Sequence, residues 1–369
     1  MKKNTPMIHA SAPGKIGWLG GYSVLEKGNT SYSSTVSARV HAHIKPAQKI
    51  RIQVPQFNID THATWNGKNL SLEKYSPDAT FAQASIEAAF QYLEHAGKKP
   101  KPFTMKTRTD DAFNPGAGKS GLGSSAAATA AMVHGLLALH GLKDLKITHH
   151  CAQAAHAKAQ GKIGSGYDVA AACFGSIEYQ RFTPQTLESF PKNANLAWDY
   201  LVRPLATPKP FHLVFATFPK DSASTTSMVK TVNAWKKDHP EPYQKLIKEL
   251  NDANVNALGY LEELETDFSE ENLDEFKKWF NQGWTLTVEV GQKSGAPIEP
   301  QKLKKILDGA AKHGAFVAKG PGAGGLDSVA ALCLSAENAG NLATFLIQKG
   351  LKVFDIHVDN QGVRTEATP

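Results

Sequence analysis

One stretch constrains this chain more than any other: Asn114-Pro-Gly-Ala-Gly-Lys-Ser-Gly-Leu-Gly-Ser-Ser-Ala-Ala-Ala-Thr-Ala-Ala131, where a run of glycines passes directly into a run of small helix formers. Glycines let backbone N–H groups come close to a ligand, paired serines can cap the following helix, and free N–H groups at a helix start attract anions. The stretch therefore reads as a phosphate cradle. It is not a Walker loop, because Gly118-Lys119-Ser120 would need an earlier glycine at the position held by Phe113. Gly116, Gly118 and Gly121 satisfy G-x-G-x-x-G, but that pattern means dinucleotide binding only when a strand follows the helix, and here the next element reads as a second helix. A glycine turn that only lets a helix pack closely would look the same, so the stretch alone leaves the ligand open.

At 369 residues the chain exceeds the usual size of a single core, and two domains are expected. The stretch from Pro184 to Pro210 is poor in periodicity and holds five prolines, which puts the boundary there: residues 1–205 and 206–369. Hydrophobic content of 41% and charged content of 20% describe a globular protein. With no apolar run long enough for a signal peptide or a membrane span, a cytoplasmic protein with no membrane partner is expected. Cys151, Cys173 and Cys333 lie far apart with no Cys-x-x-Cys pair, so they read as small buried apolar groups. The net charge of +7 favours anionic partners, but no basic block of the nucleic-acid-binding kind occurs, and small phosphorylated ligands suit it better.

Alternation from Ser34 to Ile44 sets Val36, Ala38, Val40, Ala42 and Ile44 on one face and Ser37, Arg39, His41 and His43 on the other. That is a half-buried strand, with Arg39 and His41 open to solvent or substrate. Ile50, Ile52 and Val54 repeat the pattern, predicting an antiparallel meander. Helices are predicted over 77–97, 124–139, 148–159 and 168–174, and His149, His150 and Cys151 read as surface residues without zinc spacing. Beyond residue 210 the order strand, helices, strand, strand, helix, strand is that of a ferredoxin-like sheet.

Three motifs in order, Ala12-Pro-Gly-Lys15, Gly121-Leu-Gly-Ser-Ser-Ala126 and Gly320-Pro-Gly-Ala-Gly-Gly-Leu-Asp327, resemble the signature of the GHMP kinases, which phosphorylate small molecules. Within that family, Gly20-Gly-Tyr-Ser-Val-Leu25, Ala155-His-Ala-Lys-Ala-Gln-Gly-Lys-Ile-Gly-Ser-Gly-Tyr-Asp168 and Ser294-Gly-Ala-Pro-Ile-Glu-Pro300 are most similar to the phosphomevalonate kinase branch of fungal type. The resemblance implies an α+β, two-domain GHMP kinase fold, with an N-terminal ribosomal-S5-domain-2-like part and a ferredoxin-like C-terminal part. It implies ATP and Mg²⁺ as cofactors, phosphomevalonate as substrate, and a monomer or homodimer.

The resemblance also implies roles. Gly121, Leu122, Gly123, Ser124, Ser125 and Ala126 would wrap the ATP phosphates, with Ser125 as the Mg²⁺ ligand; a plain helix cap is the alternative for Ser125. Asp168 would sit near the acceptor oxygen and Lys15 would pair with it and with the transferring phosphate. Tyr22, Ser165, Gly166, Ser224, Thr225, Ser294, Gly322 and Ala323 would contact substrate, each also readable as a turn residue. Mevalonate kinases carry a glutamate upstream of the aspartate as a second metal ligand, whereas this chain has Ala155-His156-Ala157, and His156 reads as a helix-face histidine satisfied by a neighbour. Other acceptors in the same chemistry, such as mevalonate 3-phosphate, and a family member turned sensor stay open. Joint presence of Lys15, Ser125 and Asp168 argues against the sensor.

Overall fold

The computed structural model describes residues 7–113, 120–161, 164–219 and 225–366. In chain order the first part comprises β1 (Ile8–Leu19), β2 (Ser31–Pro46), β3 (Ile50–Val54), β4 (Ile59–Trp65), β5 (Leu70–Leu72), α1 (Thr80–His95), β6 (Phe103–Thr109), α2 (Ser124–Leu139), α3 (Leu145–Gln160), α4 (Tyr167–Phe174), β7 (Ile177–Gln180) and β8 (Leu201–Pro204). The rest comprises β9 (His212–Thr217), α5 (Thr225–Asp238), α6 (Pro240–Thr266), α7 (Glu270–Ser294), α8 (Gln301–Lys312), β10 (Val317–Lys319), β11 (Ser328–Cys333), α9 (Ala336–Gln348), β12 (Lys352–Phe354) and β13 (Arg364–Glu366). No helix among the described residues is long and apolar enough to cross a membrane.

Two sheets carry the fold. The larger runs β13-β1-β2-β6-β3-β4-β5, with β7 and β8 extending from β2, and the smaller runs β10-β11-β9-β12. The smaller order, with its helices between strands, is the ferredoxin-like arrangement expected from the element sequence. In the larger sheet the expected meander is corrected: β2 and β3 are not neighbours, because β6 pairs antiparallel with β2 and parallel with β3. Alternation reports which faces are buried and says nothing of which strand lies alongside.

α2 packs against β1 and β2, flanked by α1 and α3. It is apolar all round, as a helix buried on every side must be. Gly135 is what allows the approach: a Cβ there would lie 2.8 Å from Ile44 Cδ1 and 3.2 Å from Ala10 Cβ. The motif Ala12-Pro-Gly-Lys15, which looks like a turn, instead lies within the twelve-residue strand β1, whose register with β2 shifts between Pro13 and Lys15. Such a bulge accommodates a proline that cannot donate to the ladder, and it re-aims the following side chain.

Two polar readings also change. His149, His150 and Cys151 are fully buried, not on the surface. The His150 ring stacks on Trp198 with centroids 4.0 Å apart, and its Nδ1–H donates to the Ala194 carbonyl at 2.8 Å. Arg39 and His41 are buried as well. Arg39 does not face solvent: its guanidinium donates to Ser11 Oγ at 2.8 Å and to the Gly362 carbonyl at 2.6 Å, holding the end of the chain against the sheet. The three cysteines are buried and free, as expected for Cys173 and Cys333, while for Cys151 burial upholds the apolar reading over the surface one.

Candidate active site

A cleft of about 710 Å³ takes its walls from β1, the start of α2, the start of α4 and the turn after β10. Its floor is the glycine loop before α2. Gly121 and Gly123 have φ of +74° and +76°, a conformation that favours glycine. Gly123 occupies the N-cap position and no side chain among the described residues caps α2, so the helix's first N–H groups face the loop without a described side-chain acceptor. Ser125 is therefore not a cap: it lies inside the first turn.

Lys15 is stitched to this loop. Its backbone N–H donates to the Leu122 carbonyl at 2.9 Å, its ammonium donates to the Gly121 carbonyl at 3.1 Å, and it stands 5.3 Å from the Tyr167 ring centre. A Cβ at position 123 would fall 3.1 Å from Lys15 Cε, so a side chain there would crowd the lysine where it crosses the turn. The expected Lys15–Asp168 pair is not formed. Asp168 instead faces His156, whose Nε2 lies 3.9 Å from Asp168 Oδ2 and 3.1 Å from Ser125 Oγ.

Asp168 is the second residue of α4, and its Oδ1 accepts from the Val169 N–H at 2.9 Å. Its carboxylate sits at the positive end of that helix. Burial pulls the His156 pKa down, with Asp168 partly opposing, so the imidazole stays neutral around pH 7. The nitrogen between Ser125 and Asp168 links the two groups assigned to the metal and the acceptor.

Most other candidates converge on the same cleft. Tyr22 lines it and donates through its hydroxyl to the Ala323 carbonyl at 3.1 Å, beside Gly322. Ser165 also lines it, and its carbonyl accepts from Tyr179. The Gly166 carbonyl accepts from Gln153 Nε2 at 2.7 Å, which fixes the turn leading to Asp168. Gly121, Gly123, Ser124 and Ser125 line the cleft, while the Leu122 and Ala126 side chains are fully buried beneath it and can offer only backbone. Ser294 is not on the cleft: it ends α7, where its hydroxyl donates to the Gly291 carbonyl and accepts from the Ala296 N–H. Ser224, Gly116 and Gly118 lie outside the described residues, and Thr225 is described only as the first residue of α5.

Sequence reasoning missed Tyr167 and Lys319, both on the cleft wall. The signal for Lys319 was available, since a lysine ending a strand just before Gly320 stands where a phosphate turn would need a cation.

The donor set suits a nucleotide with its metal. Uncapped N–H groups, left-handed glycines and a lysine crossing the turn match polyphosphate, and a hydroxyl with a nearby carboxylate is the hard-oxygen chemistry that Mg²⁺ takes. No group of three or more His, Cys, Asp or Glu able to hold a metal occurs among the described residues.

Residues 84–176 match the GHMP kinases N terminal domain and residues 261–352 the GHMP kinases C terminal domain. The chain is 28% identical to the phosphomevalonate kinase of Gibberella zeae, over 100% of this chain and 98% of that one. It is also 28% identical to the phosphomevalonate kinase of Saccharolobus solfataricus, over 98% and 100%. Among solved structures, Streptococcus pneumoniae phosphomevalonate kinase in complex with phosphomevalonate and AMPPNP superposes with a TM-score of 0.79 at 20% identity, covering 95% of this chain and 100% of that chain. Both parts of the fold and the length of the chain thus lead to one conclusion: this protein belongs to the GHMP kinase family.

Proposed function

We propose that the chain transfers the γ-phosphoryl group of ATP to (R)-5-phosphomevalonate, giving 5-diphosphomevalonate and ADP in the mevalonate route to isoprenoids. The observation that carries this reading is the convergence of Lys15, the Gly121–Ser125 loop and Asp168 on one cleft, in a chain that runs the full length of phosphomevalonate kinases. The reading includes two lobes, residues 1–205 and 206–369, with β13 crossing back to the first. It also includes a cytoplasmic monomer or homodimer that engages neither nucleic acid nor a membrane.

Phosphoryl transfer asks a protein chiefly to align two charged groups and to offset their repulsion. The loop N–H groups at Gly121–Ser125 bind the nucleotide phosphates. Mg²⁺, when bound through Ser125 Oγ, supplies charge neutralisation on those phosphates. His156 orients the Ser125 hydroxyl and the Asp168 carboxylate from between them. Lys15 stabilises the charge on the group in flight.

A phosphate monoester has a second pKa of about 6, so the acceptor arrives mostly as the dianion and one of its oxygens attacks without losing a proton. The bond from the γ-phosphorus to the ADP oxygen breaks as the new bond to the acceptor oxygen forms. Asp168 then orients the acceptor rather than deprotonating it. ADP release measured with mevalonate, its 5-phosphate and its 3-phosphate tests the reading: turnover with the 5-phosphate far above the other two is expected, and turnover with none, at saturating MgATP, would reject it.

A further inference from the structure

Lys319, the last residue of β10, is only 4% exposed, yet it lines the cleft. Its ammonium donates to the Trp18 carbonyl at 3.0 Å and stands 5.4 Å from the centre of the Trp284 ring. That leaves two N–H donors. Among the described residues no ion pair to Lys319 or to Lys15 is formed, although Asp168 and Asp327 line the same cavity. An ammonium removed from water is costly unless an anion or full hydrogen bonding offsets the loss. Among the described residues the Trp18 carbonyl and the Trp284 ring offset part of that cost, and no ion pair offsets the rest.

Position separates the two cations. Lys15 is bound to the Gly121 and Leu122 carbonyls of the nucleotide loop. Lys319 is bound three residues further along β1, against α7, and begins the turn whose Ala323 carbonyl takes the Tyr22 hydroxyl. Resting on the function proposed above, we infer that Lys319 is the binding residue for the phosphate monoester of the acceptor, a role separate from the nucleotide contacts of Lys15.

Burial and the neighbouring Lys15 hold the Lys319 pKa down to about 7. The charged and titratable groups around it are Lys15 on β1, Tyr22 just beyond β1, and Asp168, Asp327 and Tyr167 on the same cleft wall. A dianion arriving beside a lysine favours its charged form, so above pH 7 the protein takes up a proton as the acceptor binds. A loop that bound only the nucleotide would leave the ionisation of Lys319 unlinked to the acceptor.

Titration calorimetry of the full chain with phosphomevalonate at pH 8, in two buffers of different ionisation heat, reads this directly. Wild type is expected to take up close to one proton. Lys319→Met is expected to take up none and to bind acceptor about 10- to 100-fold more weakly, with AMPPNP affinity changed less than about threefold. Lys319→Arg keeps a permanent charge, so it should bind acceptor better than Lys319→Met and still show no proton uptake. Unchanged acceptor affinity and proton uptake in Lys319→Met would overturn the assignment, as would a loss confined to AMPPNP, which would move the lysine to the nucleotide. If wild type fails to bind phosphomevalonate, the functional reading falls, and the same comparison with inorganic pyrophosphate decides the lysine separately: uptake present in wild type and absent in Lys319→Met supports an anion-binding role, and identical uptake overturns it.

Discussion

At one end of α3, His149 and His150 lie fully buried among Trp198, Tyr200 and Phe174; at the other, His156 lies as deep between Ser125 and Asp168. Residue type, helix and burial are the same, and the surroundings differ. The first pair meets rings, a backbone carbonyl and the Gln153 amide, partners that can only pack and hold. The second meets a hydroxyl and a carboxylate that also face an open cleft. Gln153 joins the ends, donating to His149 Nε2 at 2.9 Å and to the Gly166 carbonyl at 2.7 Å, so the packed end steadies the turn that carries Asp168. A buried histidine is thus read from what converges on it, and burial alone does not tell support from chemistry.

The contrast can be broken most decisively at Asp168. Asp168→Asn should lower kcat by about 10²–10⁴-fold if a hydroxyl acceptor must lose its proton, and by less with a phosphate acceptor, while leaving the unfolding temperature nearly unchanged. Steady-state rates on both acceptor types check this, and equal losses on the two would remove the distinction between orienting and proton abstraction. Next in size is the packed end. His150→Ala should cost about 2–4 kcal/mol of stability, from the lost stack and hydrogen bond, with kcat retained by the folded protein. His156→Ala should do the reverse, losing about tenfold in kcat and needing more Mg²⁺, with a smaller change in denaturant midpoint. Should the two variants give the same stability loss and the same kcat, the two ends of α3 would be equivalent after all.

A further test is in pH. Burial holds the His150 pKa down to about 4, and His149 is lowered by burial as well. The unfolded chain protonates histidine near pH 6.5, so between about 6.5 and 4 the unfolded state binds more protons and stability falls as pH falls, by about 1.4 kcal/mol per pH unit for each such group. Above that window the contribution is constant. Thermal unfolding of His150→Phe, which keeps a stacking ring, should show a shallower decline than wild type over pH 6.5 to 4.

How much could be read without the structure follows from which interactions are local. The glycine run ending in Ser124 and the small residues after it marked α2 to the residue, because turn chemistry and helix propensity act within a few positions. The element order after residue 210 was equally readable, and with it the smaller sheet. β1 was obscured because Pro13 and Gly14 look like turn residues, and only the bulge against β2 makes them compatible with a strand. The histidines of α3 were misread for a different reason: Ala194 and Trp198 come from the proline-rich segment that looks like a linker, and nothing local to α3 announces them. In the site, the loop and Asp168 were legible as motifs. That Lys15 bonds to the loop and leaves Asp168 facing His156 was not, since it depends on which side of the Gly123 turn the lysine crosses.

The return of the C-terminus carries a consequence for synthesis. β13 pairs with β1 through His9, Ala10 and Ser11, and Arg39 grips the Gly362 carbonyl from the neighbouring strand. The strand that bears Lys15 therefore keeps an unpaired edge until residues 364–366 have emerged, however early its other neighbours do. A nascent chain stalled near residue 350 would expose that edge to other chains, so the vulnerable interval runs from the emergence of β1 to that of β13.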